Sequence, residues 1–122
     1  MMPAGKYYVG DICYVLHEVW DEVCDLIGND GEFTLKDGRR FACYGTVYGD
    51  GCYRDQYGSE YGVDAGVIGC IKLEDIDMAD LSNFTTGGQI RNFATEFKTG
   101  SDNGNIFFGE VLIPTGANDE EE

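Results

Sequence analysis

Basic residues are scarce in this chain. It carries 8 lysines and arginines against 23 aspartates and glutamates, for a formal net charge of -15 at pH 7. Nucleic-acid phosphates and anionic membrane surfaces are bound mainly by lysine and arginine, so direct binding to nucleic acid or to a membrane is disfavoured. Such an excess of carboxylates keeps a small domain soluble, and it also suits a protein partner with a basic surface.

Long apolar segments and paired cysteines are also missing. No run of about 18 apolar residues occurs, which excludes a membrane-spanning helix, and the first residues lack the apolar core of a signal peptide. We therefore expect the protein in the cytoplasm of the cell that makes it. The five cysteines are scattered without a Cys-x-x-Cys pair, and the chain has one histidine, so neither a disulfide framework nor a zinc site is supported.

Only two prolines occur, whereas 18 glycines fall between short apolar runs, as turns between strands require. Hydrophobic residues make up 43% of the 122 residues, which is enough apolar surface for one folded core. We predict a single domain over residues 1–115. Residues 116–122 are polar and acidic and are predicted to form a flexible tail.

One segment, residues 17–27, has the pattern of an amphipathic helix. Apolar residues recur there at steps of three and four, Trp20 among them, and acidic residues occupy the opposite face. Gly28 follows as a helix-terminating glycine, and His17 lies at the helix start. Because so short a helix is marginal alone, it is predicted to pack on a sheet.

The rest of the chain alternates short apolar runs with turn residues. An opening strand at 7–9 is expected to resume at 12–14, and the continuous apolar run 67–71 predicts a central buried strand. Two Asp-Gly dipeptides predict hairpins that join 32–35 to 40–43 and 45–48 to 52–54, and a C-terminal hairpin is expected to join 90–97 to 105–113.

These segments predict an α+β fold. We expect a twisted, mainly antiparallel sheet or partial barrel of about six to eight strands, with one N-terminal amphipathic helix packed on it.

The densest group of unusual residues spans 48–66, where tyrosines, glycines and acids crowd together. With one aspartate near the start of the chain, it supplies six candidate binding residues, of which the four aspartates are expected around one end of the sheet: Asp11, Asp50, Tyr53, Asp55, Tyr61 and Asp64. They suit turns and cross-strand pairs, a Ca²⁺ or Mg²⁺ site without EF-hand spacing, or hydrolysis by a carboxylate pair. No residue is assigned as catalytic or as a metal ligand, and no cofactor is expected.

Two short elements carry a resemblance to other proteins. They are Gly10-Asp11-Ile12-Cys13-Tyr14 and Tyr61-Gly62-Val63-Asp64-Ala65-Gly66, and with them the likeness spans most of residues 6–72. The chain resembles small uncharacterised proteins of tailed bacteriophages and related bacterial elements. That group has no assigned activity, so the resemblance implies an origin and transfers no functional residue.

Charge and origin together favour a non-enzymatic interaction protein. A strongly acidic surface is steered to basic clefts, where its carboxylates replace phosphate oxygens against lysine and arginine. We expect it to inhibit a nucleic-acid-handling host or defence protein by charge mimicry, in the cytoplasm of the host cell. Two alternatives remain: a structural or decoration protein of the virion or its assembly, and a divalent-metal-dependent hydrolase or ligand-binding domain that uses the aspartates.

Overall fold

The structure, a computed structural model, describes residues 2–16, 19–26, 31–46, 51–63, 66–76, 88–102 and 104–115. Within these ranges the helical elements are α1 (Trp20–Leu26) and two 3₁₀ turns, Ile12–Tyr14 and Leu73–Asp75. The strands are β1 (Gly5–Gly10), β2 (Gly31–Thr34), β3 (Arg40–Gly45), β4 (Gly51–Arg54), β5 (Glu60–Val63), β6 (Val67–Lys72), β7 (Gln89–Phe93), β8 (Thr99–Asp102), β9 (Asn105–Phe108) and β10 (Val111–Pro114).

The strands of the described ranges form three antiparallel sheets. A five-stranded sheet has the order β2-β3-β6-β1-β7, a three-stranded sheet the order β10-β9-β8, and β4 pairs with β5 alone. A mainly antiparallel, strand-rich α+β fold is therefore confirmed. The described strands do not form the expected single sheet of six to eight strands, and none of their three sheets closes on itself.

The apolar run predicted as a central strand is confirmed as β6. It occupies the middle of the five-stranded sheet, between β3 and β1, and its four inner residues are buried. Ile71 faces Phe41 on one side and Tyr8 on the other. Neighbours on both edges and side chains on both faces explain why this strand is apolar throughout.

Two hydrophobic clusters use opposite faces of the five-stranded sheet, because side chains alternate along each strand. On β1, Tyr7 and Val9 belong to the first cluster and Tyr8 to the second. The first cluster also takes its residues from β5 and the three-stranded sheet: Tyr61, Val63, Ile106, Phe108, Val111 and Ile113. The second includes Val23 of α1, with Val19, Trp20 and Leu26 packed against it.

One predicted hairpin is confirmed and one is wrong in its described part. β2 and β3 pair around the turn that contains Asp37 and Gly38. The second hairpin was expected to join 45–48 to 52–54, but β4 pairs with β5, and Gly45 faces Val67 of β6. Residues 47–50 lie outside the described ranges. β4 is instead followed by a turn that begins at Asp55 and leads into β5, and the Asp55 carboxylate accepts backbone hydrogen bonds within that turn.

The C-terminal hairpin was also predicted with the wrong partners. β7 pairs with β1, at the edge of the five-stranded sheet. Residues 105–113 form two strands, β9 and β10, because Gly109 takes a positive φ of 60° at the turn between them. A left-handed conformation of this kind favours glycine.

Residues 12–14 are not the expected continuation of the first strand. They form a 3₁₀ turn because the Asp11 side chain accepts a hydrogen bond from the Cys13 backbone N–H at 3.0 Å. An aspartate that bonds to the backbone two residues ahead offers an alternative to the sheet ladder.

The predicted helix over residues 17–27 is confirmed across Trp20–Leu26. His17, Gly28 and the predicted tail at 116–122 fall outside the described ranges. Within the described part of the chain, no helix has the length and apolar character needed to cross a bilayer.

The accessibility of the thiols provides a direct test of this fold. Cys24 and Cys52 are exposed, whereas Cys43 and Cys70 are buried and burial raises the pKa of the Cys70 thiol. Because the thiolate is the reactive form, Cys24 and Cys52 should react quickly with a disulfide reagent in the native state, and Cys43 and Cys70 only after unfolding. Thiol counting by mass spectrometry checks this; rapid labelling of Cys43 or Cys70 would contradict the strand assignment.

Candidate functional site

The turn between β4 and β5 is built around one buried carboxylate. Asp55 begins the turn, and its backbone N–H donates to the Ser59 carbonyl at 3.1 Å. Its Oδ1 accepts the backbone N–H groups of Tyr57 at 2.9 Å and Ser59 at 3.0 Å. Aspartate is suited to this position because its short side chain bonds to the backbone just ahead of it.

The other oxygen of Asp55 connects the turn to the five-stranded sheet. Oδ2 accepts the Tyr61 hydroxyl at 2.6 Å and the Arg91 guanidinium of β7 at 2.8 Å. The same nitrogen of Arg91 donates to Ser59 Oγ at 2.8 Å. The Asp55 side chain has no exposed surface, whereas that of Arg91 is 25% exposed. The ion pair therefore holds the β4–β5 hairpin against β7.

The ionisation of this group follows from its contacts. Burial raises the pKa of Asp55, but hydrogen bonds from Tyr61 and Arg91 and from two backbone N–H groups outweigh burial, so the pKa lies below its ordinary value. Burial and the hydrogen bond to Asp55 both raise the pKa of Tyr61. Tyr61 is therefore a neutral donor to an ionised carboxylate.

Gln56, the next residue in the turn, connects the turn to the three-stranded sheet. Gln56 Oε1 accepts the Leu112 backbone N–H of β10 at 2.7 Å, and Gln56 Nε2 donates to the Glu110 carbonyl. On the opposite side of the hairpin, Gln89 Nε2 of β7 donates to the Glu60 carbonyl at 2.9 Å. Residues 55–61 thus contact all three sheets, and we name them the junction turn.

The structure brings together only part of the predicted candidate site. Asp55 and Tyr61 are in direct contact, and Tyr53 faces Tyr61 across the β4–β5 pair. Asp11 is buried at the end of β1, where its carboxylate caps the 3₁₀ turn, and it takes no part in the hydrogen bonds of Asp55.

Two of the six candidates, Asp50 and Asp64, lie outside the described residues. Over the described ranges, no group of three or more histidine, cysteine, aspartate or glutamate side chains is placed to hold a metal ion. Each oxygen of Asp55 already accepts two hydrogen bonds from the protein. Asp55 is thus engaged in the architecture of the hairpin.

Arg91 and Gln56 are the site residues that sequence reasoning missed. Arg91 is 36 residues from Asp55, and no local pattern links the two. A signal was nevertheless present, because Arg91 is one of only eight basic residues and stands in a short strand-like run. A cation in such a strand usually has a specific carboxylate partner when it is partly buried.

Positive and negative side chains differ in how often they form ion pairs. Every arginine of the chain forms an ion pair: Arg39 with Asp37, Arg40 with Glu32, Arg54 with Glu60 and Arg91 with Asp55. Among the described residues, five exposed acids form no ion pair: Asp21, Asp25, Glu96, Asp102 and Glu110. The arginines are thus neutralised within the molecule, and the unpaired surface charge is mainly negative.

Comparisons with known proteins add no relative to this picture. No protein-family model, no curated protein and no solved structure matches the chain.

Proposed function

We propose that this chain is a non-enzymatic acidic interaction protein that blocks a basic, nucleic-acid-handling protein by charge mimicry. The observation that carries the proposal is the pairing of all four arginines with carboxylates, while Asp21, Asp25, Glu96, Asp102 and Glu110 are exposed and form no ion pair with any described residue. A partner meets a surface on which carboxylates are available and arginines are already engaged.

The mechanism is replacement of phosphate oxygens. A carboxylate accepts charge-assisted hydrogen bonds from lysine and arginine as a phosphate does, and the net charge of -15 steers the protein toward positive clefts. The resemblance to small phage proteins motivates the choice of target, a host or defence protein in the cytoplasm of the host cell. The partner would lose access to nucleic acid because both ligands use the same cations.

Binding to such a partner is expected to weaken with salt. Raising the salt concentration from 50 to 300 mM should increase the dissociation constant at least about tenfold, because the attraction between exposed charges is screened. Isothermal titration against candidate nucleic-acid-binding proteins of the host, repeated across this range, measures the effect. Added duplex or single-stranded DNA should compete, and an affinity that does not change with salt would reject the mimicry.

A combined variant separates recognition from solubility. Asp21→Asn, Asp25→Asn, Glu96→Gln, Asp102→Asn and Glu110→Gln together remove the acids that, among the described residues, are exposed and form no ion pair. As a control, Asp37→Asn and Glu60→Gln remove acids that already neutralise an arginine. The first variant should lose binding and the control should keep most of it. Full binding by the first variant would contradict the role of these five acids in recognition.

A component of a virion or its assembly is the second candidate. The favouring observation is that the described sheets end in open edges, which can pair with strands of a neighbouring molecule. Light scattering of the purified protein, and a search for it in purified particles, distinguish this function from inhibition.

A further inference from the structure

The three-stranded sheet presents one apolar row to solvent. Its inner residues, Ile106, Phe108, Val111 and Ile113, belong to the first hydrophobic cluster. Side chains on the neighbouring positions point the other way. In the register of the sheet, Leu112 faces Phe107 and Phe107 faces Gly100, so these three residues form one row across the outer face.

This row is open and has a flat aromatic centre. Leu112 is 39% exposed and Phe107 is half-buried. The Phe107 ring lies across Gly100, because a Cβ added to Gly100 would come within 2.5 Å of the ring. The missing side chain at Gly100 lets the aromatic ring lie along the sheet.

Two carboxylates lie on either side of the row, displaced from it along the strands. Asp102 ends β8 and lies at the level of the Asn105 and Pro114 pair, whereas Glu110 lies in the opposite turn, between β9 and β10. Both are exposed, and in the described part of the chain neither forms an ion pair. This holds even though the exposed Lys98 lies near Glu110, since the Lys98 carbonyl accepts the backbone N–H of the neighbouring Gly109. We name the surface formed by Gly100, Phe107, Leu112, Asp102 and Glu110 the outer hairpin face.

We propose that the outer hairpin face docks into the single-strand nucleic-acid-binding groove of a partner protein, an inference that rests on the proposed function. Such grooves combine lysine and arginine, which track the phosphates, with aromatic side chains on which bases stack. Phe107 and Leu112 offer an apolar surface against which the aromatic side chains of the groove can pack. Asp102 and Glu110 offer carboxylates to the lysines and arginines on either side of those aromatic side chains. An apolar centre with a charged rim is also the usual anatomy of a protein interface.

Two peptides present the chemistry of such a groove separately. A peptide of alternating lysine and tryptophan offers cations and aromatic rings, and an oligolysine with the same number of lysines offers cations alone. The unmodified protein should bind the tryptophan peptide about fivefold more tightly, because the exposed part of Leu112 and Phe107 becomes buried. NMR titration of the ¹⁵N-labelled protein should place the amide shifts of the tryptophan peptide on β8, β9 and β10.

Variants test whether the preference for the tryptophan peptide comes from the outer hairpin face. Leu112→Gln, a change at an exposed position, should bring the two peptides to equal affinity. Asp102→Asn with Glu110→Gln should weaken both peptides. As a matched control, Asp21→Asn with Asp25→Asn removes the same number of charges from α1, whose apolar residues belong to the second cluster, and should keep the fivefold preference.

The outcomes separate this inference from the proposed function. Equal binding of the two peptides by the unmodified protein, a preference that survives Leu112→Gln, or amide shifts centred on α1 would overturn the outer hairpin face and leave charge mimicry in place. Binding of neither peptide at low salt would reject charge mimicry itself.

Discussion

Replacing Asp55 by asparagine is expected to lower the free energy of unfolding by about 3 kcal/mol, since breaking a buried ion pair from one side leaves an uncompensated charge. Asparagine keeps the size of the side chain but directs an amide N–H₂ or a neutral oxygen at two donors, Tyr61 and Arg91. The junction turn would lose its contact with β7, and Arg91 would keep a half-buried guanidinium without a counter-ion.

Urea unfolding followed by the fluorescence of Trp20, the only tryptophan, measures this loss. The same hairpin contains a matched control. Arg54 and Glu60 form an ion pair at 2.8 Å whose side chains are 67% and 57% exposed. Glu60→Gln should cost less than about 0.5 kcal/mol, as exposed pairs usually do. An Asp55→Asn variant no less stable than Glu60→Gln would contradict the role of the junction turn.

The destabilisation should also depend on pH in a defined direction. The pKa of Asp55 is lowered from its ordinary value of 3.8, so its stabilising effect is fully present above that value and is lost as the pH falls through the pKa in the folded protein. The difference between the unmodified protein and Asp55→Asn should therefore be constant near neutrality and shrink in acid. A difference that grows with acidification would contradict the assignment.

Replacing Gly69 by alanine is expected to have a comparable or larger effect. A Cβ at this position of β6 would stand 2.1 Å from the carbonyl oxygen of Ala42 and 2.9 Å from Cγ2 of Ile12. The oxygen belongs to the backbone of the neighbouring strand β3, so it cannot move without disturbing the centre of the sheet. We expect a loss of about 3 kcal/mol or more, at the upper end of overpacking effects.

A glycine in open space provides the comparison. Gly38, in the turn between β2 and β3, has a φ of 99°, and an added Cβ would meet nothing within 4 Å. Gly38→Ala should cost about 1 kcal/mol through backbone strain alone. The midpoints of urea unfolding for both variants test the difference. Equal losses would mean that β3 can yield to a side chain at position 69.

Local signals predicted the parts of the fold that depend on neighbouring residues. The continuous apolar run of β6 and the Asp-Gly turn between β2 and β3 were sufficient to identify a central strand and a hairpin. The wrong predictions concern strands whose pairing partners lie far away in the sequence. Residues 105–113 read as one strand because Gly109 does not interrupt the apolar pattern strongly, and β7 finds its partner in β1, at the other end of the sequence.

The candidate site shows the same division. Asp55 and Tyr61 were predicted together because they are six residues apart in one tyrosine-rich segment. Arg91 was not, since its contact with Asp55 depends on how β7 meets the β4–β5 hairpin. Asp11 was grouped with them on residue type alone, and it serves a separate 3₁₀ turn.

The position of β1 in the sheet sets a condition on how the chain is made. β1 precedes the other described strands in the chain, yet it lies between β6 and β7, which follow it by about sixty to eighty residues. Its edges stay unpaired until β6 and β7 have been synthesised, and closing so long a loop slows folding. During this interval the nascent chain exposes Tyr7, Tyr8 and Val9, and the excess of negative charge in the sequence opposes aggregation.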